Sequence, residues 1–198
     1  MWWLRRKTCC GEDVSTSGVP ACRFLGSKPC PGGSCANCPL APSHREILVA
    51  LAGNPNVGKS SIFNLLTGSH VTTANYAGKT VSLSRGRVIA AGRAMTVVDT
   101  PGTYSLQGFS MDQIVARRGL TAPRPDVVVV VLDASNLRRN LQLYVEVADL
   151  GLPIVVALNL EDEARRLGRV VEADRLASAL GVPAVVTNGQ TGSGLSQL

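Results

Sequence analysis

The sequence has few aromatic side chains, no cysteine beyond residue 38 and no long apolar run. Only 4% of its residues are Phe, Trp or Tyr. The longest apolar stretches, VVVVVL (127–132) and LPIVVALNL (152–160), are shorter than the roughly 18 residues that a membrane-spanning helix needs. The N-terminal MWWLRRK is too short for a secretory signal, and its charges follow the apolar residues instead of preceding them. These absences predict a soluble, cytoplasmic chain.

Most of the chain also lacks an excess of positive or negative charge. Residues 1–45 hold six Lys and Arg against two Asp and Glu, whereas residues 46–198 hold fourteen against twelve. A nearly neutral body argues against a surface dedicated to nucleic acid, so no nucleic-acid partner is expected. The basic leader can contact anionic lipid or nucleic acid, but we interpret its charges as those of a solvated tail.

All six cysteines lie in the leader, residues 1–45, which is also rich in Gly, Pro and Ser. That composition predicts a disordered segment, followed by one domain over residues 46–198. Cytosolic cysteine clusters more often bind metal or act in redox chemistry than form structural disulfides. Four thiolates could enclose zinc or an iron–sulfur cluster, and a flexible reduced tail is the alternative. The candidate ligands are Cys22, Cys30, Cys35 and Cys38.

From residue 46 the pattern alternates between short apolar strands and amphipathic helices. Strands are predicted at 46–53, in two pieces of 80–100 joined around Gly92-Arg93, and at 125–135, 152–160 and 182–189. Helices are predicted at 59–68, 112–120, 137–151 and 171–181. This alternation predicts an α/β fold with a doubly wound, mostly parallel sheet. Ligands of such sheets bind at the carboxyl ends of the strands.

The stretch GNPNVGKS follows the first strand, opens the first helix and has the spacing of a phosphate-binding loop. Backbone N–H groups and the positive end of the helix dipole face the phosphates in such a loop. Gly53 and Gly58 allow close approach of the backbone, Lys59 reaches the β and γ phosphates, and the Ser60 hydroxyl ligates Mg²⁺. The predicted nucleotide contacts of the loop are Gly53, Asn54, Pro55, Asn56, Val57, Gly58, Lys59, Ser60 and Ser61.

The stretch DTPG follows a later predicted strand. Its aspartate thus lies at the end of a strand, which is where nucleotide hydrolases place an aspartate that binds magnesium. Asp99 is predicted to hold Mg²⁺ through water, and the Gly102 N–H to meet the γ-phosphate. Thr80 lies between the two motifs and can bind Mg²⁺ through its hydroxyl and the γ-phosphate through its N–H; Thr72 and Thr73 compete for this role. Loss of the γ-phosphate would then release the segment around Thr80. The predicted contacts from the motif are Asp99, Thr100, Pro101 and Gly102.

Two further strand ends predict that the base is guanine. In NLED, Asp162 can accept hydrogen bonds from the guanine N1–H and N2–H₂, which adenine lacks, while Asn159 braces the base and the loop. TNG ends the last strand and can supply backbone contacts to the guanine O6. The predicted contacts are Asn159, Leu160, Glu161, Asp162, Thr187, Asn188 and Gly189. The sequence therefore predicts a domain that binds GTP or GDP.

Hydrolysis requires in-line attack by water while Lys59, Mg²⁺ and backbone donors stabilise the developing charge. The predicted catalytic residues are Lys59, Thr80 and Gly102. Many small GTPases have a glutamine directly after D-x-x-G to orient that water, whereas this chain has Thr103, so we expect slow turnover. The side-chain oxygen of Asn56 can help to bind a monovalent cation beside the phosphates. A hydrogen bond that stabilises the loop is an equally good interpretation of that asparagine.

From about residue 46 to its end, the chain resembles the N-terminal G domain of the bacterial ferrous iron transport protein B (FeoB) family. The most specific stretches are DTPGTYSL (99–106) and PDVVVVVLDASNLRRNLQL (125–143). Leu160, where Ras-type proteins have lysine within N-x-x-D, is also like that family. The resemblance implies a P-loop GTPase fold and a link to Fe²⁺ uptake at the cytoplasmic face of the bacterial inner membrane.

The resemblance further implies that potassium stimulates the GTPase, with Asn56 at the cation. It implies switch I over roughly 69–80, with Thr80 on Mg²⁺, and switch II from Asp99 onward. The implied partners are a membrane region absent from this chain and small Feo accessory proteins. The chain stops at GLSQL, where the last helix of the domain should begin, so we expect a C-terminally truncated G domain. The variant loop TNGQTG leaves nucleotide affinity open.

Two other functions fit parts of the pattern. A soluble GTPase of ribosome assembly or tRNA modification shares NPNVGKS and DTPG, but it would need an RNA-binding domain. A metal-sensing module would use the cysteines as its active part and the nucleotide domain as its switch.

Overall fold

A seven-stranded sheet runs through the part of the chain that the computed structural model describes, residues 46–68, 71–75, 82–90 and 92–198. The cysteine-rich leader with its candidate metal ligands, and Thr80, lie outside the described residues. Across the sheet the strands follow the order β2-β3-β4-β1-β5-β6-β7. In chain order they are β1 (Ile47–Gly53), β2 (Val71–Asn75), β3 (Ser82–Ala90), β4 (Arg93–Asp99), β5 (Val127–Asp133), β6 (Ile154–Asn159) and β7 (Ala184–Val186).

The five strands from β4 to β7 across the sheet are parallel, whereas β2 and β3 pair antiparallel at one edge. β5 shows why the parallel part is central, because its residues 128–132 are all buried. A strand covered on both faces reads as a continuous apolar run, which is how VVVVVL appears in the sequence. The β3–β4 hairpin turns at Gly92, whose φ of +72° suits a residue without Cβ.

Helices cover both faces of the sheet and meet different sets of strand side chains. They are α1 (Lys59–Thr67), α2 (Met111–Thr121), α3 (Leu137–Ala148), α4 (Glu161–Arg166) and α5 (Ala173–Leu180), with a 3₁₀ turn at Ala134–Asn136. Leu51 of β1 packs with Ile62 and Phe63 of α1. Ala50 and Ala52 belong to the core that α2, α3 and α5 cover. The two faces alternate along the strand with a period of two, so the helices switch sides around β1.

The prediction of a doubly wound, mostly parallel α/β fold is confirmed. The sequence pattern did not predict β2, the 3₁₀ turn or α4. The predicted last strand, 182–189, is too long, since β7 covers only 184–186. β2 falls within the range that the resemblance assigns to switch I. Residues 187–198 form turns without a helix. No helix in the described part of the chain combines the length and apolar character that crossing a bilayer requires.

Candidate nucleotide site

The loop between β1 and α1 folds as a tight turn at the carboxyl end of the sheet. Asn56 and Gly58 take left-handed backbone angles, with φ of +64° and +83°. A Cβ on Gly58 would lie only 2.2 Å from Nδ2 of Asn159, and one on Gly53 would lie 2.9 Å from the carbonyl oxygen of Val131. Because real Cβ atoms do not approach other atoms so closely, both glycines are required by packing as well as by the predicted approach of a phosphate.

The side chains of the loop divide into two groups. Asn54 and Val57 are buried, and Val57 packs in the core beside α1. Three polar residues are exposed at the start of the helix and just before it: Asn56, Ser60 and Ser61. Within the described residues, the side chain of Asn56 has no hydrogen-bond partner. The loop-stabilising hydrogen bond that we considered for it is therefore not among the contacts of this part of the chain.

Lys59, Ser60 and Asp99 converge on one point. Nζ of the buried Lys59 lies 2.5 Å from Oδ1 of Asp99, and the Ser60 hydroxyl donates to Oδ2 of the same carboxylate at 2.9 Å. β4 ends at Asp99 and pairs parallel with β1, so the sheet brings this carboxylate to the loop. Mg²⁺ takes one or two protein oxygens and completes its shell with phosphate oxygens and water. The hydroxyl of Ser60 and the carboxylate of Asp99 fit that donor set.

The segment that follows Asp99 lies against the loop. A Cβ on Gly102 would be 3.0 Å from Cα of Pro55, and the Thr103 N–H donates to the carbonyl oxygen of Gly53 at 3.2 Å. Pro101, which precedes Gly102, is half-buried. The backbone of Gly102 is thus held beside the loop, where sequence analysis predicts its contact with a γ-phosphate.

Two threonines of this segment use their hydroxyls within the fold. Thr100 donates both its hydroxyl, at 2.7 Å, and its N–H, at 3.3 Å, to the carbonyl oxygen of Leu51. The buried Thr103 donates its hydroxyl to the carbonyl oxygen of Ser105 at 2.7 Å. Thr100 can therefore contribute shape but no further backbone or hydroxyl donor to the site. The inward position of Thr103 agrees with the expectation that it cannot orient water as glutamine does.

Asn159 joins the phosphate loop to the loop that follows β7. Its Nδ2 donates to the carbonyl oxygen of Val57 at 2.9 Å, and its Oδ1 accepts from the Gly189 N–H at 3.0 Å. The side chain is almost fully buried, so both bonds are shielded from water and costly to lose. Gly189 also packs closely on α1, because a Cβ there would lie 3.2 Å from Cβ of Ser61.

The loop after β7 is ordered by its own hydrogen bonds. The buried Thr187 donates its N–H to the carbonyl oxygen of Leu158 at 2.8 Å. Oδ1 of Asn188 accepts from the N–H groups of Gln190 and Thr191 at 2.8 and 2.9 Å. The side chain of Asn188 therefore shapes the turn, and any contact of this loop with a base would come from its backbone.

The remaining predicted contacts lie at the start of α4. Leu160 has a left-handed φ of +61° and precedes the first helical residue, Glu161, which pairs with Arg165 at 2.7 Å. Asp162 is exposed in the first turn. The structure thus brings together the phosphate loop, residues 99–102, Asn159 and Gly189, and it leaves Asp162 pointing to solvent at the same edge of the sheet.

A sequence profile of one family covers this whole domain. The profile, described as "Ferrous iron transport protein B", matches residues 47–198. The chain belongs to the FeoB family. The resemblance stated from the motifs is thereby confirmed, and so is the prediction of a FeoB-type G domain.

Curated FeoB relatives are similar over most of this chain. A protein of Porphyromonas gingivalis named "Fe(2+) transport protein A/Fe(2+) transporter FeoB fusion protein" is 42% identical over 160 residues, which cover 80% of this chain and 19% of that protein. The Fe(2+) transporter FeoB of Escherichia coli K12 is 38% identical over 158 residues, or 78% of this chain and 20% of the relative. The chain therefore spans about a fifth of the length of these FeoB proteins.

Solved FeoB structures have the same fold. The crystal structure of the G domain of T. maritima FeoB superposes with a TM-score of 0.71 at 38% identity, covering 77% of this chain and 93% of that one. A mutant of S. thermophilus NFeoB bound to GDP gives a TM-score of 0.71 at 38% identity, covering 76% and 59%. The G domain of Methanococcus jannaschii FeoB gives 0.67 at 39% identity, with 77% and 92% covered.

The contacts that α3 makes with this FeoB site were not predicted from the sequence. Nδ2 of Asn54 donates to the carbonyl oxygen of Arg139 at 3.4 Å, and Glu146 accepts hydrogen bonds from Ser105 and Leu106. No local motif signals these contacts, because they join residues at least 40 positions apart. Only the pairing of β1 with β5 brings α3 beside the loop.

Proposed function

We propose that residues 46–198 bind GTP with Mg²⁺ and hydrolyse it, and that this GTPase domain couples nucleotide state to Fe²⁺ uptake by a transporter. One observation carries the proposal: Lys59 and Ser60 of the phosphate loop meet Asp99, while Asn159 links the same loop to Gly189. A phosphate site and a candidate base site are thereby joined through one buried side chain. The GDP bound to S. thermophilus NFeoB supports the choice of a guanine nucleotide.

In this proposal Lys59 neutralises the β and γ phosphates, the Gly102 N–H meets the γ-phosphate, and Ser60 and Asp99 hold Mg²⁺. The metal supplies charge stabilisation on the transferred phosphoryl group. Thr80 would complete its coordination. No glutamine follows Gly102, and the hydroxyl of Thr103 is engaged by the Ser105 carbonyl, which supports slow turnover. Selection of guanine falls to the exposed Asp162 and to the backbone of residues 187–189.

Binding of GTP to the full chain, followed by calorimetry, tests this proposal. Lys59→Ala should abolish binding, because in this proposal it removes the cation of the loop that neutralises the phosphates. Arg175→Ala is the matched control, since it removes one cation from an exposed pair with Glu172 far along the chain, and it should bind like the parent. Binding by the Lys59 variant at parental affinity would overturn the assignment of the loop.

We further propose that a monovalent cation binds beside the phosphates at this site. Asn56 lies within the loop, its side chain is exposed, and that side chain has no hydrogen-bond partner among the described residues. Exchange of Na⁺ for K⁺ should therefore raise the rate of GTP hydrolysis by the parent. Asn56→Gly should cancel that gain without backbone strain, because glycine accepts a φ of +64°. Equal rates of the parent in the two salts would rule out the potassium proposal.

Transport itself requires more than this chain spans. The relatives are named Fe(2+) transporters, and this chain matches only about a fifth of their length, so we infer a membrane region as the partner of this domain at the cytoplasmic face. The fusion with transport protein A in P. gingivalis supports small Feo proteins as further partners. These names favour iron uptake over ribosome assembly or tRNA modification. A zinc or iron–sulfur site at Cys22, Cys30, Cys35 and Cys38 stays a prediction.

A further inference from the structure

The segment after Gly102 is fastened to α3 through one carboxylate. Glu146 accepts the N–H of Leu106 at 2.5 Å, and the hydroxyl of Ser105 lies 3.0 Å from each of its two oxygens. A hydroxyl donates to one oxygen at a time, so Ser105 can follow small movements of the carboxylate without losing it. Glu146 is half-buried and Leu106 is buried in the core below it. Bonds to an ionised acceptor in such a place are stronger than bonds between neutral groups.

Hydrogen bonds within the segment link its residues to one another. The Thr103 hydroxyl donates to the carbonyl oxygen of Ser105 at 2.7 Å, and the Gln107 N–H donates to the Ser105 hydroxyl oxygen at 3.1 Å. At its other end the Thr103 N–H donates to the carbonyl oxygen of Gly53 at 3.2 Å. The segment is therefore held at the phosphate loop on one side and at Glu146 on the other.

α3 contacts the site a second time, two turns earlier. The guanidinium carbon of Arg139 lies 4.1 Å from the ring centroid of Tyr104, a cation–π contact. The carbonyl oxygen of the same residue accepts from Asn54 of the phosphate loop. Residues 139 and 146 are seven positions apart and so lie on one side of the helix. That side of α3 faces both the phosphate loop and the segment that follows Gly102.

We propose that Glu146 is a positioning residue, which holds segment 103–106 so that the Gly102 N–H stays directed at the γ-phosphate. The inference rests on the proposed function. GDP has no γ-phosphate, so its affinity does not depend on where that N–H points. Release of the segment should therefore weaken the binding of a triphosphate and slow its hydrolysis while leaving the binding of a diphosphate unchanged.

The test compares Glu146→Gln with the parent in the full chain. The amide keeps the size of the carboxylate but lacks its charge and has one acceptor oxygen in place of two. We expect affinity for a non-hydrolysable GTP analogue to fall about five- to tenfold, with a similar fall in hydrolysis rate, from the weaker hydrogen bonds. GDP affinity should stay within twofold of the parent, about the scatter of such a measurement. Gln142→Ala, on an exposed position of the same helix, is the control and should change neither affinity.

Ser105→Ala provides a second, milder variant that removes one hydroxyl from the same contact. If Glu146 acts through Ser105, the double variant should lose less triphosphate affinity than the two single losses combined. If both variants lost affinity for GDP and for the triphosphate equally, Glu146 would have only a structural role, and the proposal would be overturned. A parent that binds no guanine nucleotide would instead overturn the proposed function, so the two failures are distinguishable.

Discussion

Gly58 shows at the scale of one residue how the phosphate loop and the base side of the site are built together. Its φ of +83° disfavours any other residue, and the space for a Cβ is occupied by Nδ2 of Asn159 at 2.2 Å. The motif alone could predict that glycine is needed for the phosphate. It could not predict that the same glycine makes room for the side chain that reaches the Val57 carbonyl.

Gly58→Ala should therefore destabilise the chain beyond the cost of its backbone angle. A left-handed alanine costs about 1–2 kcal/mol, and loss of the shielded hydrogen bond from Asn159 adds about 1–3 kcal/mol to the loss in the free energy of unfolding. Gly181→Ala is the matched control, because Gly181 has a φ of +69° with no atom within 4 Å of its missing Cβ. Urea denaturation measures both, and equal losses would show that the loop can move away from Asn159.

At the scale of single residues, short motifs singled out side chains that the structure brings together, whereas contacts made only by folding were missed. Lys59 and Asp99 were predicted from two short motifs, and the structure places their side chains in contact. Glu146 was missed, because a glutamate on a helix with buried Leu143 and Val147 usually faces solvent. Its partners are the backbone and a serine, so no complementary charge in the sequence points to it.

At the scale of elements, long periodic segments were predictable and short ones were not. α4 has six residues and buries only Ala164, so it shows no apolar period that sequence analysis can detect. β2 has five residues and pairs only with β3 at the edge of the sheet. α3 was predicted from its first residue but three residues too long, since it ends at Ala148. It also supports α5, because Tyr144 donates its hydroxyl to the Leu180 carbonyl at 3.2 Å. Burial raises the pKa of Tyr144, so its hydroxyl keeps the proton for this bond to a higher pH than an exposed tyrosine would.

The start of α2 offers a prediction for one element, because this helix begins five residues after the segment that Glu146 holds. The Ser110 hydroxyl oxygen accepts from the Gln113 N–H at 3.4 Å, and the Gln113 side chain accepts from the Ser110 N–H at 3.1 Å. Ser110→Ala should lower the free energy of unfolding by about 1 kcal/mol in urea with an unchanged m-value.

Ser178→Ala is the control for the helix start, since Ser178 only bonds the Asp174 carbonyl within an exposed turn of α5. Its effect should stay within about 0.5 kcal/mol. If both substitutions lower the free energy of unfolding by the same amount, the reciprocal hydrogen bonds at the start of α2 stabilise the chain no more than an ordinary surface serine does.

For the whole molecule, the position of the site follows from β1, where the helices change from one face of the sheet to the other. α1 packs on one side of the sheet and α2 and α3 on the other, so the crevice at the carboxyl ends opens between them, as in other doubly wound sheets. The sequence predicted this crevice from the alternation of strands and helices. It could not predict how far the exposed Asp162 stands from the phosphate loop, because that distance depends on the unpredicted α4.

Nucleotide binding should appear as a change in the stability of the whole chain. A ligand that binds only the folded state at 100 times its Kd adds about 2.7 kcal/mol, which for a chain of this size raises the melting temperature by about 5–10 °C. GTP and GDP should produce that shift, and ATP should not, because adenine cannot donate two hydrogen bonds to Asp162. Asp162→Asn should reduce the shift with GTP and create one with xanthosine triphosphate, since an amide can donate to the xanthine O2.

Glu163→Gln controls for the loss of one carboxylate from the same turn, because Glu163 is exposed one position further along α4. It should keep the preference of the parent for guanine. If ATP and GTP raised the melting temperature of the parent equally, the site would not distinguish guanine from adenine. The phosphate loop would then remain as a nucleotide site, but Asp162 would have no part in it.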